Sequence, residues 1–244
     1  MAYTNEDILD IINFYTNKDQ SGNTMKPSLF NKLLPAACHE FFEDQRKVFE
    51  ATMEITNAIR HLKVTGYTPS LSIVSGMGRA AFAADYAFGD KAMYYVDGGS
   101  QHRKIEVLTD SQFNNYRNSP IRTPSTKYPI ARFSTTYIEY LPSAITGIFF
   151  DYIKYFTNPV LDYYIDANYQ IVYFTEGQGD YTLQAGEEGS AGQTAGTVTP
   201  LTVDMDWRDE DQLKIGEKVV RAIGINIKEG ELAQYAMARE QQNK

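Results

Sequence analysis

Gly76-Met77-Gly78-Arg79-Ala80-Ala81 is the sharpest chemical pattern in the chain. It follows the apolar run Leu71–Val74, precedes an Ala-rich stretch, and has Asp97 21 residues beyond Gly76. In a dinucleotide site such glycines make a tight turn and let backbone approach the pyrophosphate, while the acid holds the ribose. Two features weigh against that chemistry. The intervening AAFAADYAFGD is short for a crossover helix, and Asp97-Gly98-Gly99-Ser100 reads as a hairpin turn, not as a step into a parallel βαβ unit.

Metal chemistry has weaker candidates. His39-Glu40 opens like a helical zinc motif, but Glu43 stands where the second histidine belongs. His61 and His102 are far away in sequence, and scattered histidines are more often structural or solvent-facing. Asp204, Asp206, Asp209 and Asp211 form an acidic run, yet Arg208 occupies the third ligand position of a calcium loop. Acids at a helix N-terminus, favoured by its dipole, are the plainer reading. Cys38 lies beside an apolar face and reads as a small core residue. Neither a nucleophile elbow nor a Walker loop is present. The sequence therefore assigns no catalytic, cofactor-binding or metal-binding residue, and the expectation is a protein that is not an enzyme.

Composition narrows the class. The 244 residues carry 23 Lys+Arg and 31 Asp+Glu, a formal net charge of −8, with 43% hydrophobic residues. Disorder throughout is excluded by that apolar content, and nucleic-acid binding by bulk charge has the wrong sign. One cysteine cannot build a disulfide framework. The absence of a long apolar run and the acidic N-terminus point to a soluble protein of a reducing compartment. Tyr occurs 18 times and Trp once. Tyrosine suits surfaces wet in one state and buried in another, and it also suits strands.

The elements that must position these residues change character along the chain. Thr4 with Asp7 resembles a capping box, followed by Ile8, Ile11, Ile12 and Tyr15 at helical spacing. Residues 17–23 read as a polar loop. A second helix starts near Pro27 with a kink or break expected at Pro35, and a third carries Val48, Thr52, Ile55, Ile59 and Leu62 until Gly66. From Tyr67 the pattern is short strands at Leu71–Val74, Ala92–Val96, Lys104–Leu108, Ile130–Phe133, Tyr137–Leu141, Ile148–Tyr155 and Tyr169–Phe174, with a short helix at Thr109–Arg117. Glu176–Pro200 holds 6 of the 17 glycines and no Lys or Arg, and is expected to be a long flexible loop. A helix capped by Asp206 or Asp209 and carrying Leu213, Val219, Val220 and Ile223 follows, ending at Gly224 before a last helix with Leu232, Tyr235 and Ala236. The expected class is α+β, in four regions: helical 1–66, antiparallel β-rich 67–175, the acidic Gly-rich loop 176–200, and helical 201–244.

Several stretches, in order, resemble one group of proteins. They are Tyr15–Gly22, Pro27–Asn31 with Ala36-Ala37, Arg103–Val107, Asp110–Phe113, Asn118–Pro120, Thr123-Pro124 and Pro129. Ile138–Ser143, Tyr152–Tyr155, Asn158-Pro159, Val203–Trp207 and Ile223–Ile227 continue the series. The chain is similar in these pieces to neck or tail ring proteins of crAss-like and related Bacteroidetes phages, over most of its length apart from 176–200, and the Gly76–Phe82 segment has no role in that pattern. That resemblance implies a virion structural protein, a head-to-tail connector forming homo-oligomeric rings, commonly of twelve copies. Its implied partners are the portal and other ring proteins, with viral DNA passing the lumen unread. Its implied place is the virion neck or tail, and the host cytoplasm during assembly. Two rivals stand beside it: a monomeric carbohydrate- or protein-binding β-domain of a phage tail, and a nucleotide-binding enzyme using Gly76, Gly78 and Asp97.

Overall fold

A computed structural model of the chain describes residues 3–18, 25–89, 92–96 and 101–223. Two helices open it, α1 (Asn5–Lys18) and α2 (Pro27–Thr52). A 3-10 turn at Arg60–Leu62 leads into strands β1 (Lys63–Tyr67), β2 (Leu71–Val74), β3 (Met77–Ala81), β4 (Tyr86–Phe88), β5 (Met93–Val96) and β6 (His102–Val107). Helix α3 (Asp110–Arg117) separates these from β7 (Ile130–Phe133), β8 (Tyr137–Leu141) and β9 (Ile148–Lys154). Shorter strands follow: β10 (Tyr163–Ile165), β11 (Ile171–Tyr173), β12 (Tyr181-Thr182), β13 (Glu188-Gly189) and β14 (Thr197-Val198), then helix α4 (Asp209–Ala222). The class is α+β, with helices at both ends of a largely antiparallel sheet protein.

The chain divides into two compact units, one of residues 59–155 and one joining 1–58 to 156–244. This differs from four consecutive regions, because the N- and C-terminal helices share one unit.

In the 59–155 unit nine strands make one sheet, ordered β1-β9-β5-β6-β7-β8-β3-β2 with β4 also on β9. Only β6–β7 is parallel. The end strands β1 and β2 are consecutive in the chain and separated by residues 68–70. Four Cα steps span at most about 15 Å, so the sheet must roll until its two ends approach each other. Inside the roll lies a core of Met93, Tyr95, Ile105, Ala131, Ile138, Tyr140, Ile148, Phe150 and Tyr152. On its outer side α3 packs through Phe113 against Met77 and Ile130. Thr109 caps α3 in a reciprocal box with Gln112, which is why the polar sequence DSQFNNYR stays helical.

The helical unit has its own logic. Thr4 and Asp7 form the expected capping box, Thr4 N–H donating to Asp7 Oδ2 at 3.0 Å and Asp7 N–H to Thr4 Oγ1 at 3.2 Å. Ile8, Leu9, Ile11, Ile12 and Tyr15 are buried. Gly216 of α4 lies beside Ile8 of α1, where a Cβ would sit in ordinary contact with the isoleucine. Lys218 of α4 reaches Glu40 at 2.5 Å and Asp44 at 2.9 Å on α2. Asn31 holds Leu161 by both its backbone polar groups, at 2.8 and 2.9 Å, and Asn5 reaches the Val160 and Val203 carbonyls. These polar staples join chain segments over a hundred residues apart.

Several expectations are corrected. Helix α2 runs through Pro35 without a break, because Phe30, Leu34, Ala37, Cys38 and Phe41 are buried on either side of it. No third helix reaches Gly66: Met53 takes a left-handed cap and donates to the Phe49 carbonyl, and Gly66 lies within β1 at a register shift. The apolar spacing Val48–Leu62 thus crosses from one unit into the other, and Val48 is exposed. Residues 176–200 are not strandless: β12 pairs with β14 and β13 with β10. The cap of α4 is Arg208, not Asp206 or Asp209, and Asp209, Glu210 and Asp211 occupy the first turn where the dipole favours them. The turn 97–100 and the helix expected beyond Gly224 lie outside the described residues, as do residues 19–23 of the expected loop 17–23.

Candidate functional site

The glycine pattern is a hairpin. Strands β2 and β3 pair antiparallel from Leu71↔Ala80 to Val74↔Met77, and Ser75 and Gly76 form the turn with φ of 51° and 79°. Two consecutive residues at positive φ are the two-residue turn whose twist matches paired strands. Gly78 faces Tyr140 across β8, and a Cβ at Gly78 would overlap the Tyr140 ring. Smallness is needed at Gly78 for a buried tyrosine, not for a phosphate. The segment after it is β3, so the strand–turn–helix context of a dinucleotide fingerprint is replaced by a strand–turn–strand. Asp97 lies outside the described residues.

On the opposite face of these strands sits a charged row. Glu139 on β8 faces Arg79 on β3 and Arg132 on β7. Glu139 is buried, and its Oε2 accepts from Arg132 Nη2 at 2.6 Å and Nε at 2.8 Å, while Oε1 accepts from Arg79 Nη2 at 3.1 Å. Each guanidinium also lies over an aromatic ring, Arg79 over Tyr137 at 4.1 Å and Arg132 over Phe113 at 4.9 Å. Burial pushes the Glu139 carboxyl upward, but the two arginines outweigh it and hold the group below its ordinary value. A carboxylate locked between two cations cannot move a proton near neutral pH. This row ties β3, β7 and β8 together in register.

Two clefts open at opposite ends of the roll. One, of about 400 Å³, is lined by Tyr95, Val96, Arg103, Thr126, Lys127 and Ile145 among others, with no acid among the described residues of its lining. Its wall is a tight turn closed by mutual backbone hydrogen bonds between Ser125 and Tyr128, and the Tyr95 hydroxyl donates to the Thr126 carbonyl. Lys127 is therefore carried on an anchored turn. The other cleft, of about 520 Å³, is lined by Phe82, Tyr86, Phe133 and the hydroxyl residues Ser134, Thr135 and Thr136. Phe82 meets Tyr86 at 4.5 Å and Phe133 at 5.9 Å between ring centroids.

The remaining sequence candidates are dispersed. His39, His61 and His102 are exposed on three different elements, and no group of three metal-capable side chains occurs among the described residues. Asp204 accepts the Asn5 N–H at 2.9 Å, and buried Asp211 pairs with Lys214 at 2.9 Å. Cys38 is buried, and burial pushes its thiol up to about 12 against a weaker hydrogen bond from Trp207. At that value it is no nucleophile. What sequence reasoning missed is the edge strand β2: all four residues are exposed, Ile73 by 65%, and none is charged. Its signal was the uncharged run LSIV beside a hairpin turn. No family model matches the chain, and comparison with curated proteins finds no match.

Proposed function

We propose that this chain is a virion structural protein, a ring-forming head-to-tail connector in a phage neck or tail, stacked below the portal around the DNA channel. The observation that supports this reading is edge β2. Free-standing proteins blunt an open sheet edge with charge, proline or a bulge. Here β1, at one end of the sheet, has Lys63 and a register shift, whereas β2, at the other, has neither charge nor shift. An uncharged, exposed edge carrying Leu71, Ile73 and Val74 is a surface fitted to a neighbour. A chain of net charge −8 also gives a DNA channel little of the phosphate affinity that would stall passage. Many modest contacts then add up, because each copy in a closed ring is held by two others.

Mass photometry of the purified chain, with negative-stain images of the same sample, tests the reading. Closed rings of many copies are expected. A single species of 27.6 kDa at every concentration, with and without the portal and other neck proteins, overturns it. The aromatic and hydroxyl lining of the larger cleft favours a second reading, a carbohydrate-binding tail domain, since rings stack on sugar faces and hydroxyls satisfy sugar hydroxyls. That reading requires a glycan-array signal that Tyr86→Ala removes.

A further inference from the structure

Between Asp110 and Glu139 the chain carries Arg117, Arg122, Lys127 and Arg132 and no acid. Residues 176–200 carry Glu176, Asp180, Glu187 and Glu188 and no base. Two segments of one chain thus hold four like charges each, of opposite sign.

The basic segment spends one charge internally, Arg132 on Glu139. Arg117, Arg122 and Lys127 are exposed. They are held in shape: Ser119 Oγ accepts the N–H groups of Ile121 and Arg122 at 3.3 and 3.1 Å, and the 125–128 turn is closed as described above. Ile121 is 90% exposed and Tyr128 68% exposed on the same stretch. Cations around exposed apolar side chains make the composition of a docking surface. In the acidic segment Glu176, Asp180 and Glu188 are exposed. That ribbon is also ordered, by β12–β14 and β13–β10 pairing, so both surfaces pay little ordering entropy on meeting.

We infer that the basic stretch 117–127, with its exposed Arg117, Arg122 and Lys127, docks the acidic segment 176–200 of a second copy of this chain. Because two different surfaces of one chain meet, the contact is heterologous, the kind from which rings are built. The inference rests on the ring reading and adds a pair of contact surfaces to edge β2. Complementary charge sets encounter rate and register, while Ile121 and Tyr128 supply the apolar contact.

The test is a pair of charge-reversed chains. One carries Arg117→Glu, Arg122→Glu and Lys127→Glu; the other carries Glu176→Lys, Asp180→Lys and Glu188→Lys. All six positions are exposed, and circular dichroism checks that both variants fold. Each alone is expected to assemble at least about tenfold more weakly than the wild type at ~0.1 M salt. Mixed in equal amounts, the two restore assembly as alternating copies. A folded basic-surface variant that assembles like the wild type overturns the inference and leaves the ring reading intact. Weakened variants whose mixture stays dissociated overturn the pairing. Retention of the wild type on duplex DNA, lost in the first variant while assembly is unchanged, reassigns the surface to nucleic acid. A wild type that never assembles overturns both readings.

Discussion

Residues 118–129 and residues 176–200 are both turn-rich, both short of regular structure, and opposite in charge. They are ordered in different ways. The basic stretch is pinned by single side chains, one from within and one from outside: Ser119 takes two backbone N–H groups, and Tyr95 reaches the Thr126 carbonyl. The acidic ribbon is tied, through Ser190 and the Leu201 that follows it, to one buried carboxylate. Asp162 accepts from the Ser190 hydroxyl at 2.6 Å, from Leu201 N–H at 3.1 Å and from Tyr163 N–H at 2.9 Å. Tyr181 then stacks on Tyr164 at 4.7 Å, and Gly177, Gly186, Gly192 and Gly196 turn at positive φ. Glycine richness here serves tight turns as much as freedom. Low apolar content does not prevent order when a buried polar anchor replaces the missing core.

The largest effect should follow from removing that anchor. Asp162→Ala leaves three donors without their acceptor, at a cost of about 3 kcal/mol. Urea unfolding should register that loss. Limited proteolysis should spare 176–200 in the wild type and move its first cut there in the variant. If the two digests match, the ribbon is held by its strand pairs alone and the contrast with 118–129 collapses.

Glu139→Gln probes the one basic residue of its segment that is used internally. Arg132 and Arg79 would lose a doubly bonded carboxylate for a neutral amide, at about 2 kcal/mol near neutral pH. Because the Glu139 carboxyl is held below its ordinary value, its contribution is full above the unfolded-state value. It is lost as pH falls through the folded one. Wild type and variant should therefore differ in urea midpoint at pH 7 and converge only as pH falls below the ordinary glutamate range, through the lowered folded-state value. A difference that persists at low pH would mean shape, not charge, holds the row.

Much of this was legible. Leu71–Val74, Ile130–Phe133 and Tyr137–Leu141 match their strands end to end, and α3 follows from its Thr109 box. Failures have a common cause in long-range structure. Periodicity from Val48 to Leu62 is real, but Val48, Thr52 and Ile55 belong to one unit and Ile59 and Leu62 to the other, which local spacing cannot tell. Gly78 looked chemical because the reason for its size, Tyr140, is 62 residues away and meets it only by strand pairing. Asp162 gave no local sign of its role because two of its three donors, Ser190 and Leu201, lie 28 and 39 residues on. The exposed edge β2 was visible as a strand, but not as an edge, since edges are defined by which strand fails to arrive.

The smallest effect separates an anchored turn from an unanchored one. Tyr95→Phe removes one hydroxyl donor to the Thr126 carbonyl, and a net hydrogen bond of this kind is worth about 1 kcal/mol. The ring stays buried in the core of the roll, so global stability should fall by no more than that. The local consequence should be clearer: the 125–128 turn keeps only its backbone closure, and trypsin should cleave after Lys127 several-fold faster. Replacing the tyrosine at the tip of the β10–β11 hairpin offers the control. Tyr169 is 91% exposed at a φ of 62°, and Tyr169→Asn should leave tryptic cleavage at Lys127 unchanged. Faster cleavage in Tyr95→Phe alone would show that one buried hydroxyl presents the basic turn. Equal cleavage in both would show that backbone closure suffices, making the two segments more alike than their anchors suggest.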